Sequence, residues 1–410
     1  MKFSIQFSVC TLLVLSALLL SACSNTAVYK TPSPIITDNF VLTSTSETIS
    51  EPDMSDVIKT VSFIGCGDNI IYAGNIKDAR SKAGAGDGEF NFKPMYEHVD
   101  HIIEEADIAF INQENVMAGD GYEISYYPMF NSPQELGYDL KELGFDVVNI
   151  ANNHMLDKGA GGLQKTIEFW KNMDDVLMIG GYENKEDYDT MRILEKNGIK
   201  IAFLSYTYGT NGISKPASSP IEIPIHNDED ILRQTTLAKE QADVVIVSIH
   251  WGYEGAFKPS TEQIRLAQLM ADCGVDAIIG HHPHVLQPVE WLEGKDGNKT
   301  LCVYSLGNFM AEQAYDYNMV GGIVEFDIIQ LGKNDAYIDN VVFNPTVFHF
   351  PSNFFNNTIY LMEDYTRELA AVHGVKHFYR HTLTYDGLIK YATDTIDKQF
   401  LPASLGGTAN

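Results

Sequence analysis

In "VDAIIGHHPHVLQPVE", residues 275–290, an apolar, largely β-branched run reaches a glycine and then a cluster of imidazoles. Val275–Ile279 is the kind of segment that fills a buried strand. His281, His282 and His284 follow Gly280 within four positions. A strand interior has no use for clustered histidines, and stacking them at its end invites like-charge repulsion at low pH. They must face something outside the strand.

The same pattern recurs along the chain. "FIGCG" runs into Asp68, "IAFIN" into Gln113-Glu114, "VVNIA" into Asn152-Asn153-His154, and "VVIVSI" into His250. Taken singly, each has a plain structural alternative. Asp68 could cap a turn or helix, and Glu114 could be a solvated loop acid. Asn152 and Asn153 could form a turn, and His250, just before Trp251, could be a core imidazole with one hydrogen bond. Five coincidences at equivalent positions are harder to dismiss. Amphipathic helical stretches near 93–105, 132–143, 161–173, 229–240 and 260–273 separate the apolar runs. The later runs "LCVYSLGNF", "GGIVEFDII" and "YIDNVVFNPTVF" have no long helix between them. Such alternation implies an α/β fold with some antiparallel pairing, and open α/β sheets bind ligands beyond the carboxyl ends of their strands.

Carboxylates, imidazoles and an amide oxygen form the mixed N/O donor set that suits Zn²⁺, Mn²⁺ or Fe ions. An extended His282-Pro283-His284 segment would point both rings the same way, with Pro283 keeping it out of helix. The two rings could then serve neighbouring ions ~3.5–4 Å apart, a pair able to activate water and hold a phosphoryl oxygen. His154, directly after Asn153, is better placed to steady phosphoryl charge or protonate a leaving group than to ligate. No Gly-x-Ser-x-Gly elbow offers a serine-hydrolase alternative, and "YSLGNF" (304–309) reads as a strand end supporting the site.

With 410 residues, 45% of them hydrophobic, the chain can bury a large core. Its formal net charge of -27 argues against non-specific binding to nucleic acid or anionic lipid. Residues 1–22 resemble a signal peptide, ending in the lipobox-like "LSAC" (20–23), so Cys23 is the expected lipidation site and the membrane anchor. Residues 23–57, rich in Ser, Thr and Pro, read as a flexible tether. Residues 58–350 form the main domain and 351–410 a helical and loop extension. Cys66, Cys273 and Cys302 are expected to be free thiols, and "AGAGDGEF" (83–90) a mobile loop rather than a phosphate loop.

The motifs "GCGD", "NQE", "ANNHMLDKGAGGL", "FLSYTYGTNG", "HWGYE", "GHHPHVLQPVEW" and "YSLGNF" run in order from about Val61 to Phe309. In them the chain resembles the CapA capsule-synthesis proteins, associated with poly-γ-glutamate biosynthesis, whose domain is similar to a calcineurin-type metallophosphatase. The resemblance implies a four-layer α-β-β-α sandwich with a strand-end metal site holding one or two divalent ions. It carries over Asp68, Glu114, Asn153, His250, His282 and His284 as ligands and His154 as the catalytic histidine. Asn152, Trp251, Glu254, His281 and Asn308 are the expected substrate contacts. Metallophosphatases usually begin with Asp-x-His, whereas Asp68 is followed by Asn69-Ile70, which weakens the case for one of the two ions. Gly255, after "HWGYE", leaves that rim of the pocket open.

Two functions follow as expectations. One is a metal-dependent, phosphatase- or phosphodiesterase-like hydrolase on the extracytoplasmic face of a bacterial membrane, working in polymer synthesis or export beside synthetase and export proteins. The other is a non-catalytic assembly or anchoring subunit with a structural metal site. A solute-binding lipoprotein is disfavoured because it needs no histidine-rich strand-end cluster.

Overall fold

Strand β1 (Ile58–Asn69) carries the first apolar run and lies at the centre of a sheet because its last seven residues are buried on both faces. The computed structural model describes residues 57–84, 88–378 and 381–409. Residues 1–56, which hold the expected signal peptide, the expected lipidation site Cys23 and nearly all of the expected tether, therefore lie outside the described residues. So do residues 85–87, within the loop expected at 83–90. Among the described residues no helix is long and apolar enough to cross a membrane.

The strands follow in chain order: β2 (Ile108–Gln113), β3 (Val147–Asn149), β4 (Leu177–Ile179), β5 (Arg192–Lys196), β6 (Ile199–Thr207) and β7 (Val244–His250). Then come β8 (Ala277–His281), β9 (Leu286–Glu293), β10 (Lys299–Leu306), β11 (Asn308–Met310), β12 (Val320–Leu331), β13 (Tyr337–His349) and β14 (Thr358–Leu361). One sheet has the order β14-β13-β12-β1-β2-β3-β4 with β11 pairing β1, and the other the order β5-β6-β7-β8-β10-β9. Strands β1 to β4 are mutually parallel, as are β6, β7, β8 and β10. Parallel neighbours place their carboxyl ends at one edge, which is the geometry the strand-end pattern requires.

The two sheets face each other through one continuous core. Phe63 of β1 stacks on Phe326 of its own sheet at 4.6 Å and on Phe203 of the other at 6.4 Å. Helices Glu135–Glu142 and Gly159–Lys171 add Leu136, Leu140, Leu163, Ile167 and Trp170 to the same core. Helices Asp228–Lys239 and Thr261–Asp272 cover the other sheet with Ile231, Leu266, Ala267 and Met270, against Val245, Val247 and Ile249 of β7. Helix, sheet, sheet and helix make the expected four-layer sandwich.

The segment 351–410 is more than a helical and loop extension. Strand β14 pairs antiparallel with β13 and edges the first sheet. Ile359, Leu383, Leu388 and Phe400 are buried in the main core. The strand is only four residues long, too short to give a periodic signal. Cys66 and Cys302 are buried and Cys273 half-buried, all as free thiols.

Candidate metal centre

Two glycines aim the site. A register shift of β1 against β2 between Cys66 and Asp68 marks a bulge at Gly67, and bulges re-aim the side chain that follows. A Cβ on Gly67 would sit 2.3 Å from the Gly307 carbonyl oxygen, and one on Gly280 2.1 Å from that of Tyr304. Only glycine lets these backbones close up beside Asp68 and His281.

The bulge delivers Asp68 to the edge between the sheets, where it is fully buried. Its Oδ1 accepts from Asn112 Nδ2 at 2.8 Å, and its Oδ2 faces His284 Nδ1 at 2.9 Å and accepts from the His282 backbone N–H at 3.2 Å. His281 Nδ1 lies 3.2 Å from Asp68 Oδ1 without hydrogen-bond geometry. Burial alone would raise the Asp68 carboxyl, but His281 and His284 against it outweigh that and hold it well below its ordinary range. His284 responds in the opposite sense: burial disfavours its charge, yet Glu114 and Asp68 push its pKa up.

Glu114, just past β2, is buried with both carboxylate oxygens unpartnered. Its Oε1 is 3.7 Å from His284 Nε2 and 3.9 Å from His250 Nε2. Burial, only partly offset by His284, raises its pKa to about 7. His250 Nε2 lies 2.9 Å from Asn153 Oδ1, while its Nδ1 and that of His282 have no partner. Burial first, and neighbouring imidazoles second, hold His250 and His282 well below the ordinary histidine value, His282 at about 3. These two rings are neutral, the form that binds metals.

Buried polar atoms normally find partners, so this concentration of orphans needs an explanation. One ligand atom each from Asp68, Glu114 and His284 lies within 4.8 Å of the others, and the same holds for Glu254, His282 and His284. The residues present fit a divalent cation: oxygen and imidazole donors, His250 and His282 neutral and Asp68 ionised, with Glu114 and His284 raised by the crowding of buried groups that an ion would relieve.

The segment presenting His282 and His284 is not extended as expected. Both residues have positive φ, 96° and 55°, in a bend between β8 and β9. Positive φ in residues with a Cβ is uncommon and gathers at functional sites. The left-handed turns, rather than strand alternation, bring both rings to the carboxylates, with centroids 5.7 Å apart.

His154 stands on the turn after β3. Its Nδ1 is 2.8 Å from Asp157 Oδ2, and Phe130 meets its ring edge-on at 4.8 Å. Asp157 Oδ2 also accepts from the Phe130 backbone N–H at 2.7 Å, which fixes the carboxylate.

Four of the five expected substrate contacts have other tasks. Trp251 turns into the second core, stacks on Tyr304 and donates Nε1–H to the Tyr304 carbonyl at 2.9 Å. Successive residues of a strand face opposite ways, so the chain that aims His250 at the site aims Trp251 away. Asn152 braces the turn, accepting the His154 backbone N–H at 2.8 Å. His281 is buried between Asp68 and the Phe110 ring. Asn308, opposite Asp68 in the register, donates to the Asn318 carbonyl and to Gln313 Oε1. Glu254 is exposed and lines a cleft beside His284.

Sequence reasoning missed three contributors. Tyr208 lays its ring 4.6 Å from that of His282. Asp157 was visible inside "ANNHMLDKG", three residues after His154. A hydrogen-bond chain runs from Ser205 Oγ to Asn149 Oδ1 (2.5 Å), from Asn149 Nδ2 to Asn112 Oδ1 (2.7 Å), and from Asn112 Nδ2 to Asp68. It starts in the second sheet and ends on a candidate ligand in the first.

Fold and site together define a four-layer α-β-β-α sandwich with a candidate divalent-metal centre at its strand ends. The chain belongs to the family described as "Bacterial capsule synthesis protein PGA_cap", whose model matches residues 62–313. It is 30% identical over 296 residues to the PGA biosynthesis protein CapA of Bacillus subtilis, covering 72% of this chain and 74% of that one. It is 37% identical over 210 residues to the capsule biosynthesis protein CapA of Bacillus anthracis, covering 50% of this chain and 49% of that one. Among solved structures, the NAD nucleotidase of Haemophilus influenzae matches with a TM-score of 0.41 at 12% identity, over 85% of this chain and 59% of that one.

Proposed function

We propose that this chain is a lipid-anchored, extracytoplasmic protein of capsule polymer synthesis or export, of the poly-γ-glutamate kind, with a metal-dependent phosphatase- or phosphodiesterase-like site. The observation that carries the chemical half is Glu114: a buried carboxylate with no partner for either oxygen, ringed by imidazoles. The family supports the polymer half. The anchoring rests on "LSAC" and the tether-like composition of residues 23–57.

Asp68, Glu114, Asn153, His250, His282 and His284 would hold one or two ions of the Mn, Zn or Fe type, with Glu254 at the open edge. Such ions supply Lewis-acid activation of water and neutralise charge at phosphorus. The chain's own residues do the rest. Asp157 accepts the hydrogen bond from His154 Nδ1–H and orients the ring; when the ring carries both protons, Nε2–H would pass its proton to the departing oxygen as the P–O bond breaks, leaving the neutral Nδ1–H form held by Asp157. Tyr208 and Phe130 flank the imidazoles and limit water access. A site cation would also offset the electrostatic mismatch between a polyanionic product and a chain of net charge -27.

One observation favours a second reading, an assembly subunit with a structural ion. Ile70, where metallophosphatases carry a histidine, is buried against Phe130 and Ala311 and offers no donor. The two readings part on one experiment. The purified protein is assayed for bound metal and for Mn²⁺-dependent hydrolysis of generic phosphomonoesters and phosphodiesters, beside polymer production in cells carrying His282→Ala/His284→Ala. Hydrolysis and polymer lost together support an enzyme. Bound metal with no hydrolysis, and polymer lost with the metal, support the assembly subunit. Full metal retention in the double variant refutes the ligand assignment.

A further inference from the structure

Beside the metal centre opens a cleft of about 700 Å³ that has His284 among its lining residues. That volume lies within the ~300–1,000 Å³ range of ligand pockets. Its composition is unusual for a site expected to handle anions. Five tyrosines line it: Tyr72, Tyr126, Tyr127, Tyr315 and Tyr317. Tyr315 and Tyr317 stack at 5.0 Å with planes 9° apart, and Phe257 sets its edge against Tyr317. A second run of rings joins the cleft to the proposed acid: Tyr72 and Tyr127 each meet Phe130 edge-on, and Phe130 meets His154.

The polar lining is mixed: the tyrosine hydroxyls donate or accept, Glu254 offers an exposed carboxylate, and Glu312 is buried with Oε2 accepting from the Gly74 N–H at 3.0 Å. The amide side chains beside them are engaged internally: Gln313 Oε1 accepts from Asn308, and Asn318 Nδ2 donates to the His284 carbonyl. Among the described residues, no lysine or arginine lines the cleft.

Charge and size narrow the occupant. A polyanion would meet two carboxylates and no lysine or arginine, with His284 at the metal end as its one basic contact, in a chain of net charge -27, so a polyglutamate backbone fits poorly. A small organic ammonium would suit the charge and the ring faces, but it would fill only a fraction of the space. The lining calls for a neutral ligand with flat apolar faces for the rings and several hydroxyls to meet the tyrosine hydroxyls and the Glu254 carboxylate. A pyranose ring has both, with C–H faces above and below and hydroxyls around its rim, and tyrosine itself pairs an apolar face with a polar tip.

We propose that this cleft binds a neutral carbohydrate chain, the glycosyl part of a phosphate ester whose phosphoryl group reaches the His282–His284 end. Only the phosphoryl half rests on the function proposed above.

The test is carried out on the full chain in detergent with EDTA present, so that it does not depend on catalysis. Chitotriose, cellotriose and maltotriose are titrated by calorimetry and by saturation-transfer NMR, beside choline and a γ-linked glutamate oligomer. At least one trisaccharide is expected to bind, with the strongest transfer to its C–H faces. Tyr127→Ala and Tyr315→Ala should each weaken it tenfold or more, while Tyr127→Phe and Tyr315→Phe retain it. These residues are 70% and 44% exposed, so the substitutions leave the core untouched, and unchanged metal uptake checks this. Binding of none of the three sugars, binding of choline alone, or glutamate-oligomer binding lost in the same alanine variants overturns the proposal. Sugar binding without any phosphate-ester hydrolysis would refute the functional reading and leave this one standing. Hydrolysis equally fast for glucose 1-phosphate and phenyl phosphate, and indifferent to both alanine variants, would do the reverse.

Discussion

Replacing Glu114 by glutamine should have opposite effects on the metal-free and metal-loaded protein. In the metal-free state burial raises this carboxyl from 4.5 to about 7. A carboxyl with a raised folded-state pKa keeps its proton in the native state after the unfolded chain has lost it. Stability therefore falls as pH rises from 4.5 to about 7 and stays reduced above that window. A shift of that size corresponds to about 3 kcal/mol at pH 8, at ~1.36 kcal/mol per pKa unit. Glutamine has nearly the same shape and cannot ionise, so Glu114→Gln in EDTA should be the more stable protein. For a domain this large, ~2 °C per kcal/mol puts the gain at about 6 °C. With Mn²⁺ or Zn²⁺ at ~100–1,000 times the dissociation constant, the wild type gains ~2.7–4.1 kcal/mol by mass action. The variant, having lost a ligand, gains little. Thermal melts at pH 8, with EDTA and with metal, should thus cross: variant above wild type without the ion, below it with the ion. Parallel shifts, or a variant less stable in EDTA, would show that Glu114 is satisfied by something other than a cation.

His154→Ala should keep its metal and lose ~10²–10³-fold in kcat, with Asp157→Asn losing less; loss of metal in His154→Ala would refute its proposed role. His349, buried against Tyr365, is held down to about 4 by burial, so its stabilising effect is complete above pH 6.5 and is lost as pH falls from 6.5 towards 4. His349→Gln, followed by urea melts, should flatten the acid limb by up to about 3 kcal/mol, and identical curves for both proteins would contradict this. Cys23→Ala should abolish acyl labelling and membrane partitioning, and unchanged partitioning would remove the lipobox from the account.

The fold and the centre of the site were legible because both obey short-range rules. Apolar runs announced the inner strands, and in parallel sheets whatever follows such runs must meet at one edge. That logic brought Asp68, Glu114, Asn153, His250, His282 and His284 together from segments more than 200 residues apart. What it could not reach depended on register across strands. Asn112 and Asn149 sit within apolar runs and read as β-sheet residues until β1, β2 and β3 are aligned with Asp68 opposite Asn112. Tyr208 meets His282 only through the packing of the loop after β6, and the cleft tyrosines come from three separate segments. Trp251 is a different case. Alternation along β7 already turned it inward, and its place in a motif beside His250 obscured that.

The hydrogen-bond chain from Ser205 to Asp68 acts as a cross-pin between two plates. Its three bonds, of 2.5, 2.7 and 2.8 Å, bridge a serine of the second sheet to a carboxylate of the first. Of the three, the Ser205–Asn149 bond crosses between the sheets; a slip of one sheet over the other by a single residue, ~3.3 Å, exceeds it, so the plates cannot shift without breaking the brace behind Asp68. The grip on a cation is therefore set as much by the alignment of the halves as by the ligands themselves. A change at Ser205, which approaches no ion, could loosen that grip while leaving every donor in place. Relatives could be tuned to tighter or weaker metals through such pins, with a site that looks identical in sequence.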